Sequence, residues 1–267
     1  MWRPNAAMQG GSFAALNLPR QCRSEPATCR LAPMTANHGE TGVQLPIWLV
    51  ISGVTVLGTS IPVALHYATH GVFNGHQIAL AFFFWLNAII AFWEICLFLH
   101  IDRIHGQYLD LREVYRGREL ARVFDFFGSR IPFSKVFSTL TWSEIWSSYA
   151  LFDESYADKK SYGFFIDIGN GVTTLLPSLL FAYGMTLEVM PARMFGIIGL
   201  IFSYQMLYGT LLYFASFVLN QRYRGHSPFN LAIFVGFSNA LWTVFPVWAI
   251  CVSIWMIYND SYAIFLR

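Results

Sequence analysis

The chain has 267 residues, of which 55% are hydrophobic, 18% aromatic and 12% charged, with a formal net charge of +2. An ordinary soluble domain carries about 25% charged residues, so this polar coat is too thin to cover a soluble core. The same arithmetic excludes a disordered chain, a disulfide scaffold and a nucleic-acid binder, and leaves an integral membrane protein.

Residues 1–44 are rich in Pro, Gly, Ala and Asn and carry Arg3, Arg20, Arg23 and Arg30. No apolar run there can serve as a secretory signal core, and the stretch reads as a disordered tail. Residues 45–267 read as one membrane domain. Residues 45–68 contain no Lys, Arg, Asp or Glu, and residues 77–101 contain only Glu94. Residues 161–186 contain only Asp167, while 195–220 and 229–258 contain none. Each stretch meets the roughly 20 residues that a helix needs to cross the hydrocarbon layer. The expectation is an all-α bundle of five transmembrane helices, with Pro177 as the place where the third helix kinks or divides.

Residues 102–160 form the long polar stretch between the second and third spans. Val114, Leu120, Val123, Phe124 and Phe127 recur there at near-helical spacing among charges. This pattern fits an amphipathic helix lying on the membrane surface, with a soluble cap as the alternative. Basic residues of the tail, of 102–160 and of Arg222 and Arg224 would share one face, and the positive-inside rule makes that face cytosolic.

An ionisable side chain inside a span is costly, so it is a functional candidate by default. Helical spacing sorts the polar residues onto three faces. Asn87, Ala91 and Glu94 share one face of the second helix; Asp167, Asn170, Gly171 and Thr174 share one of the third; Asn239, Trp242 and Pro246 share one of the fifth. Faces of this kind can converge on a cavity, where two carboxyls with amide partners can exchange protons with a substrate. The structural alternative is that each acid only bonds a neighbouring helix or reaches the interface. His66 and His100, near span ends, read as interfacial. Trp93 and Trp242 adjoin polar faces and can wall a cavity, because aromatic faces attract cations.

Three segments carry a family resemblance. Trp146 to Tyr156 (WSSYALFDESY) is similar to a W-x-x-Y-A-x-x-D-x-R-Y stretch, and Leu207 to Phe214 (LYGTLLYF) to a Y-G-D-x-L-Y-F segment. Asn239 to Pro246 (NALWTVFP) matches an N-A-L-W-x-x-x-P signature. These motifs resemble the emopamil-binding protein family, the sterol Δ8–Δ7 isomerases and relatives that share the EXPERA domain. The resemblance covers roughly residues 80–255.

It implies a five-helix bundle with a sterol-binding cavity, an endoplasmic-reticulum membrane and a homodimer. It also implies a reaction that protonates a ring double bond, passes through a carbocation and removes a different proton. The signature Asn and Trp fall on Asn239 and Trp242, the third-helix acid on Asp167, and the acid after the Tyr-Ala pair on Asp153. Tyr149 takes the motif tyrosine. Thr210 stands where the family has Asp, while Asn87 and Ala91 stand where its second helix has His and Glu. Glu94, one turn on, is the relocated acid.

The expected function is therefore a membrane-embedded isomerase or cyclase for a large apolar polycyclic or polyene substrate. Asp167 and Glu94 would be the proton donor and acceptor. Asn87, Asn170, Asn239, Tyr149, Asp153 and Thr210 would bind or orient substrate, and Trp93 and Trp242 would wall it in. Proton transfer needs no cofactor or metal, and none is expected. The alternative is a non-catalytic sterol or lipid binder of the same family.

Overall fold

The computed structural model describes residues 42–267. The expected tail, 1–44, with its arginines and Cys22 and Cys29, lies outside the described residues except for its last three, of which Gln44 already opens a strand. The elements are β1 (Gln44–Pro46), α1 (Ile47–His70), α2 (Gly75–Val114), α3 (Glu119–Gly128) and β2 (Arg130–Pro132). They continue with α4 (Thr139–Tyr149), α5 (Tyr162–Leu187), α6 (Ala192–Leu219) and α7 (Pro228–Asn259). Five of them, α1, α2, α5, α6 and α7, are long and apolar enough to cross a membrane. The molecule is an all-α integral membrane bundle.

Local chemistry sets the helix ends. Asn74 caps α2 by accepting the Gln77 N–H at 2.9 Å, and Ser161 caps α5 through the Phe164 N–H at 3.2 Å. α1 stops at Gly71, whose φ of 72° suits a residue without Cβ. Pro177 does not divide the third span: α5 runs unbroken through it. A full break inside hydrocarbon would strand several backbone groups, whereas one missing N–H is cheaper.

The second span departs from the charge-gap reading. Its apolar part ends near residue 101, but the helix continues to Val114 through a kink at His100 (φ −127°, ψ 21°). Charged residues end the hydrocarbon crossing without ending the helix. His100 sits at the kink and bonds the Thr139 hydroxyl at 2.9 Å.

The 102–160 stretch is a multi-element cap rather than one surface helix. α3 turns Val123 and Phe126 inward, both buried, and Phe124 outward. β1 pairs antiparallel with β2, Leu45 opposite Ile131, and the Ile47 N–H donates to the Ser129 carbonyl at 2.9 Å. The start of α1 is thereby tied to the cap. At the other end the chain terminus closes the bundle. Asn74 donates to the Ile264 and Arg267 carbonyls at 3.0 and 2.6 Å, and the Arg193 N–H donates to Asp260 at 3.0 Å. His66 belongs to this end and is buried within the protein, its ring nitrogens bonded to the Thr186 hydroxyl and the Phe265 carbonyl.

Helices in lipid gain little from hydrophobic burial against one another and associate through close packing. Small residues provide it here. A Cβ on Gly171 of α5 would lie 2.8 Å from the Glu94 Cβ of α2, and one on Gly196 of α6 would lie 2.8 Å from the Ser253 carbonyl of α7. The outer faces carry exposed Leu57, Leu176, Ile201 and Val244, as lipid contact requires.

Candidate functional site

At the capped end the helices line a cavity of about 230 Å³. α2 contributes Trp93 and Glu94, α5 contributes Asp167 and Asn170, α6 contributes Thr210 and Tyr213, and α7 contributes Asn239 and Trp242. The cap supplies Phe126, Trp146, Tyr149 and Tyr156 as its floor. No Lys, Arg or His among the described residues lines it.

The two acids face this space from different helices. Glu94, buried where α2 meets α5, lies beside the Asn170 amide and close enough to Asp167 to interact with it electrostatically. Gly171 makes that meeting possible, because its missing side chain lets α5 approach Glu94. The Tyr156 hydroxyl lies beside the Asp167 carboxyl. Tyr156 packs edge-on against Tyr149, with ring centroids 5.0 Å apart, and lies 5.2 Å from the Trp146 ring. Burial pushes the Tyr149 phenol up to about 12 and raises Tyr156 well above the usual tyrosine range. Both stay protonated at neutral pH and serve as donors. The Tyr213 hydroxyl lies beside that of Tyr149 but is buried without a hydrogen bond of full geometry.

A π-helical turn in α7, Ala232–Phe237, immediately precedes the cavity residues Ser238 and Asn239. Turns of this type are rare and concentrate at functional sites. The Ser238 hydroxyl donates back to the Phe234 carbonyl. The Asn239 amide donates to the Val235 carbonyl at 2.9 Å and to the Tyr149 hydroxyl at 3.3 Å, joining α7 to the cap. Trp93 stacks on Trp142 at 5.6 Å, and its carbonyl accepts the Trp146 indole N–H at 2.6 Å. The Thr210 hydroxyl lines the cavity and donates to the Met206 carbonyl at 2.9 Å.

Eight of the ten expected site residues thus meet in one cavity: Glu94, Asp167, Trp93, Asn170, Asn239, Trp242, Tyr149 and Thr210. Two stand elsewhere. Asn87 shares the helix face of Glu94 but lies off the cavity. Its amide nitrogen donates to Thr174 and Ser178 at 3.1 and 2.8 Å, and its oxygen accepts the Trp242 indole N–H at 2.7 Å. It is a knot between α2, α5 and α7, with its bonding capacity spent inside the protein. Asp153 lies behind the floor, 1% exposed, in an ion pair with Arg222 at 3.3 Å. Its carboxylate also accepts the Ser155 N–H at 3.0 Å, capping the turn that carries Tyr156. It therefore positions Tyr156 rather than touching the cavity.

Tyr156 and Tyr213 were missed as site residues. Both stand within the family-like segments, and a polar aromatic in such a segment was the available signal. Comparison of the chain with protein-family models, curated proteins and solved structures finds no match. Fold and site together define an integral membrane protein with an acid-bearing, aromatic-walled cavity at the capped end of its bundle.

Proposed function

We propose that the chain is a membrane-embedded isomerase or cyclase for a large apolar polycyclic or polyene substrate, such as a sterol, terpenoid or polyketide. The observation that carries this reading is the pair of carboxyls, Glu94 and Asp167, brought from two helices into one aromatic cavity that no cationic side chain among the described residues lines. One carboxyl gives its proton to a double bond, leaving a carbocation. In an isomerisation the other carboxylate then removes a proton from a neighbouring carbon, and the double bond re-forms in a new place. In a cyclisation a second double bond attacks the cation first, closing a ring before the proton is lost. Protons balance in both, and no redox partner is needed. The faces of Trp93, Trp146 and Trp242 attract the cationic intermediate, and Asn170 and Asn239 orient the acid and the substrate.

The resemblance to the emopamil-binding protein family supports this reading. All three family-like segments send side chains to the one cavity: Trp146, Tyr149 and Tyr156 from the first, Thr210 and Tyr213 from the second, Asn239 and Trp242 from the third. In this reading Glu94 takes over the acid function of the second helix, while Asn87 and Ala91, at the family's His and Glu positions, have become packing residues. The reaction has diverged from sterol Δ8–Δ7 isomerisation, and an endoplasmic-reticulum membrane and a homodimer go with the resemblance.

The test compares lipid extracts of cells expressing the chain, Asp167→Asn and Glu94→Gln, with a Δ8-sterol fed as a first probe. A product made by the unaltered chain and lost by about 10²–10⁴-fold in both variants supports the acid–base pair. Loss of the second-helix His and Glu favours a second reading, a non-catalytic sterol or lipid binder. Unchanged extracts with retained sterol binding would establish it.

A further inference from the structure

A second cavity, of about 340 Å³, opens beside the cap. Four arginines line it: Arg112 and Arg116 from the end of α2 and beyond, Arg222 and Arg224 from the loop between α6 and α7. Residues more than 100 positions apart in the chain have been brought to one concave surface, and every strong cation there among the described residues is an arginine. The planar guanidinium fork matches phosphate oxygens in pairs, which lysine does not.

Depth is set by α6. Asn220 and Gln221 line the same pocket and directly follow Leu219, the last residue of that span. On the α6 side the pocket therefore begins one residue past the apolar span, while on the α2 side Arg112 and Arg116 stand beyond the apolar part of that helix. A basic pocket between transmembrane helices on the positive face is the arrangement that holds anionic headgroups.

The arginines are not equally engaged. Arg222 is held by the buried Asp153, so its guanidinium is fixed in place. Arg116 pairs at 2.9 Å with Glu113, an exposed carboxylate, and such pairs are weak and exchangeable. Arg112 is 3.4 Å from the Tyr108 hydroxyl and 4.0 Å from Glu113. The Arg224 guanidinium makes no hydrogen bond or ion pair among the described residues. Two acids, Glu119 and Glu154, also line the pocket. Glu119 accepts the Gly117 N–H at 2.8 Å, and Glu154 accepts the Tyr108 hydroxyl at 3.3 Å. Among the described residues the lining still holds twice as many arginines as acids.

We infer that this pocket binds a phosphate ester, with Arg224, Arg116 and Arg112 clasping its oxygens and Arg222 as the fixed member. The source of the phosphate is an anionic phospholipid headgroup or a soluble phosphate compound, and the experiment separates them. The full-length chain is reconstituted in phosphatidylcholine nanodiscs with and without phosphatidic acid, and retained lipid is counted by native mass spectrometry. In parallel, the detergent-solubilised chain is titrated with inorganic pyrophosphate. Arg224→Gln and Arg116→Gln change exposed side chains, and melting curves check that both variants fold. Lys159→Gln removes a cation of the same stretch from outside the pocket.

Selective retention of phosphatidic acid, weakened about tenfold in each arginine variant but not in Lys159→Gln, supports the headgroup source. Pyrophosphate binding with the same variant pattern, without selective lipid retention, assigns the site to a soluble phosphate. Loss of binding equal in Lys159→Gln, or no binding of either probe, overturns the proposal.

Discussion

The two ends of the bundle use the same aromatic alphabet differently. At the end away from the cap, rings fill space. Phe83 stacks on Phe245 at 5.0 Å with the planes 1° apart, and Phe181 contacts Phe195 at 4.8 Å and Phe202 at 5.4 Å. Apolar rings with no polar tip can interlock there without stranding a donor or acceptor. At the capped end the rings are mainly Tyr and Trp, and each has a polar atom to place. Tyr149 gives its hydroxyl to the Phe234 carbonyl, Trp146 its indole N–H to the Trp93 carbonyl, and Trp242 its own to Asn87. Directional bonds of this kind hold rings apart at fixed positions, and a cavity survives between them. Close packing makes one end a clamp; hydrogen-bonded aromatics make the other a chamber.

This division can be broken by mutation at several strengths. Asp167→Asn and Glu94→Gln are expected to cut turnover by about 10²–10⁴-fold while leaving the melting temperature near that of the parent. A large fall in melting temperature in both would recast the acids as structural. Phe83→Ala, deep in the clamp, is expected to cost on the order of 3 kcal/mol in a detergent unfolding assay, with turnover per folded molecule retained. Turnover falling in step with stability would show the two ends to be one cooperative unit.

Asn87→Leu tests the border between them. It leaves the Trp242 indole N–H and the hydroxyls of Thr174 and Ser178 without their partner, and about 1–3 kcal/mol of stability should be lost. Stability equal to the parent's would show that the knot is dispensable. The smallest effect is expected from Tyr156→Phe, which keeps the ring and removes the hydroxyl beside Asp167. Turnover should fall about tenfold, mainly in kcat, with the fold intact. A change confined to KM would place Tyr156 on the substrate instead of on the acid.

How much of this was legible in the sequence depends on the kind of signal. The five crossings follow from charge exclusion, a constraint that hydrocarbon imposes on every residue in a span, and so composition alone reveals them. Helical spacing then put Glu94, Asp167, Asn170, Asn239 and Trp242 on the right faces. It failed at Asn87, because sharing a face with Glu94 does not fix depth, and seven residues along a helix is about 10 Å. Asp153 lies off the cavity because it pairs with Arg222, 69 residues away, and no local pattern announces an ion pair. The cap was harder still. Its surface-helix pattern was real in Val123 and Phe127, but the pairing of β1 with β2 and the floor built from α3 and α4 are tertiary facts.

The π-helical turn at Ala232–Phe237 has a consequence for how the fifth span can change. A wider turn takes in one residue more than an α-helical one without altering the path of the helix, so it acts as an insertion absorbed in place. Removing that extra residue would rotate everything beyond it by about 100° relative to everything before it. The rotation would carry Asn239 and Trp242 from the chamber toward neighbouring helices or lipid. The side chains before the turn and those after it are therefore phased independently, and one span can present two unrelated surfaces along its length.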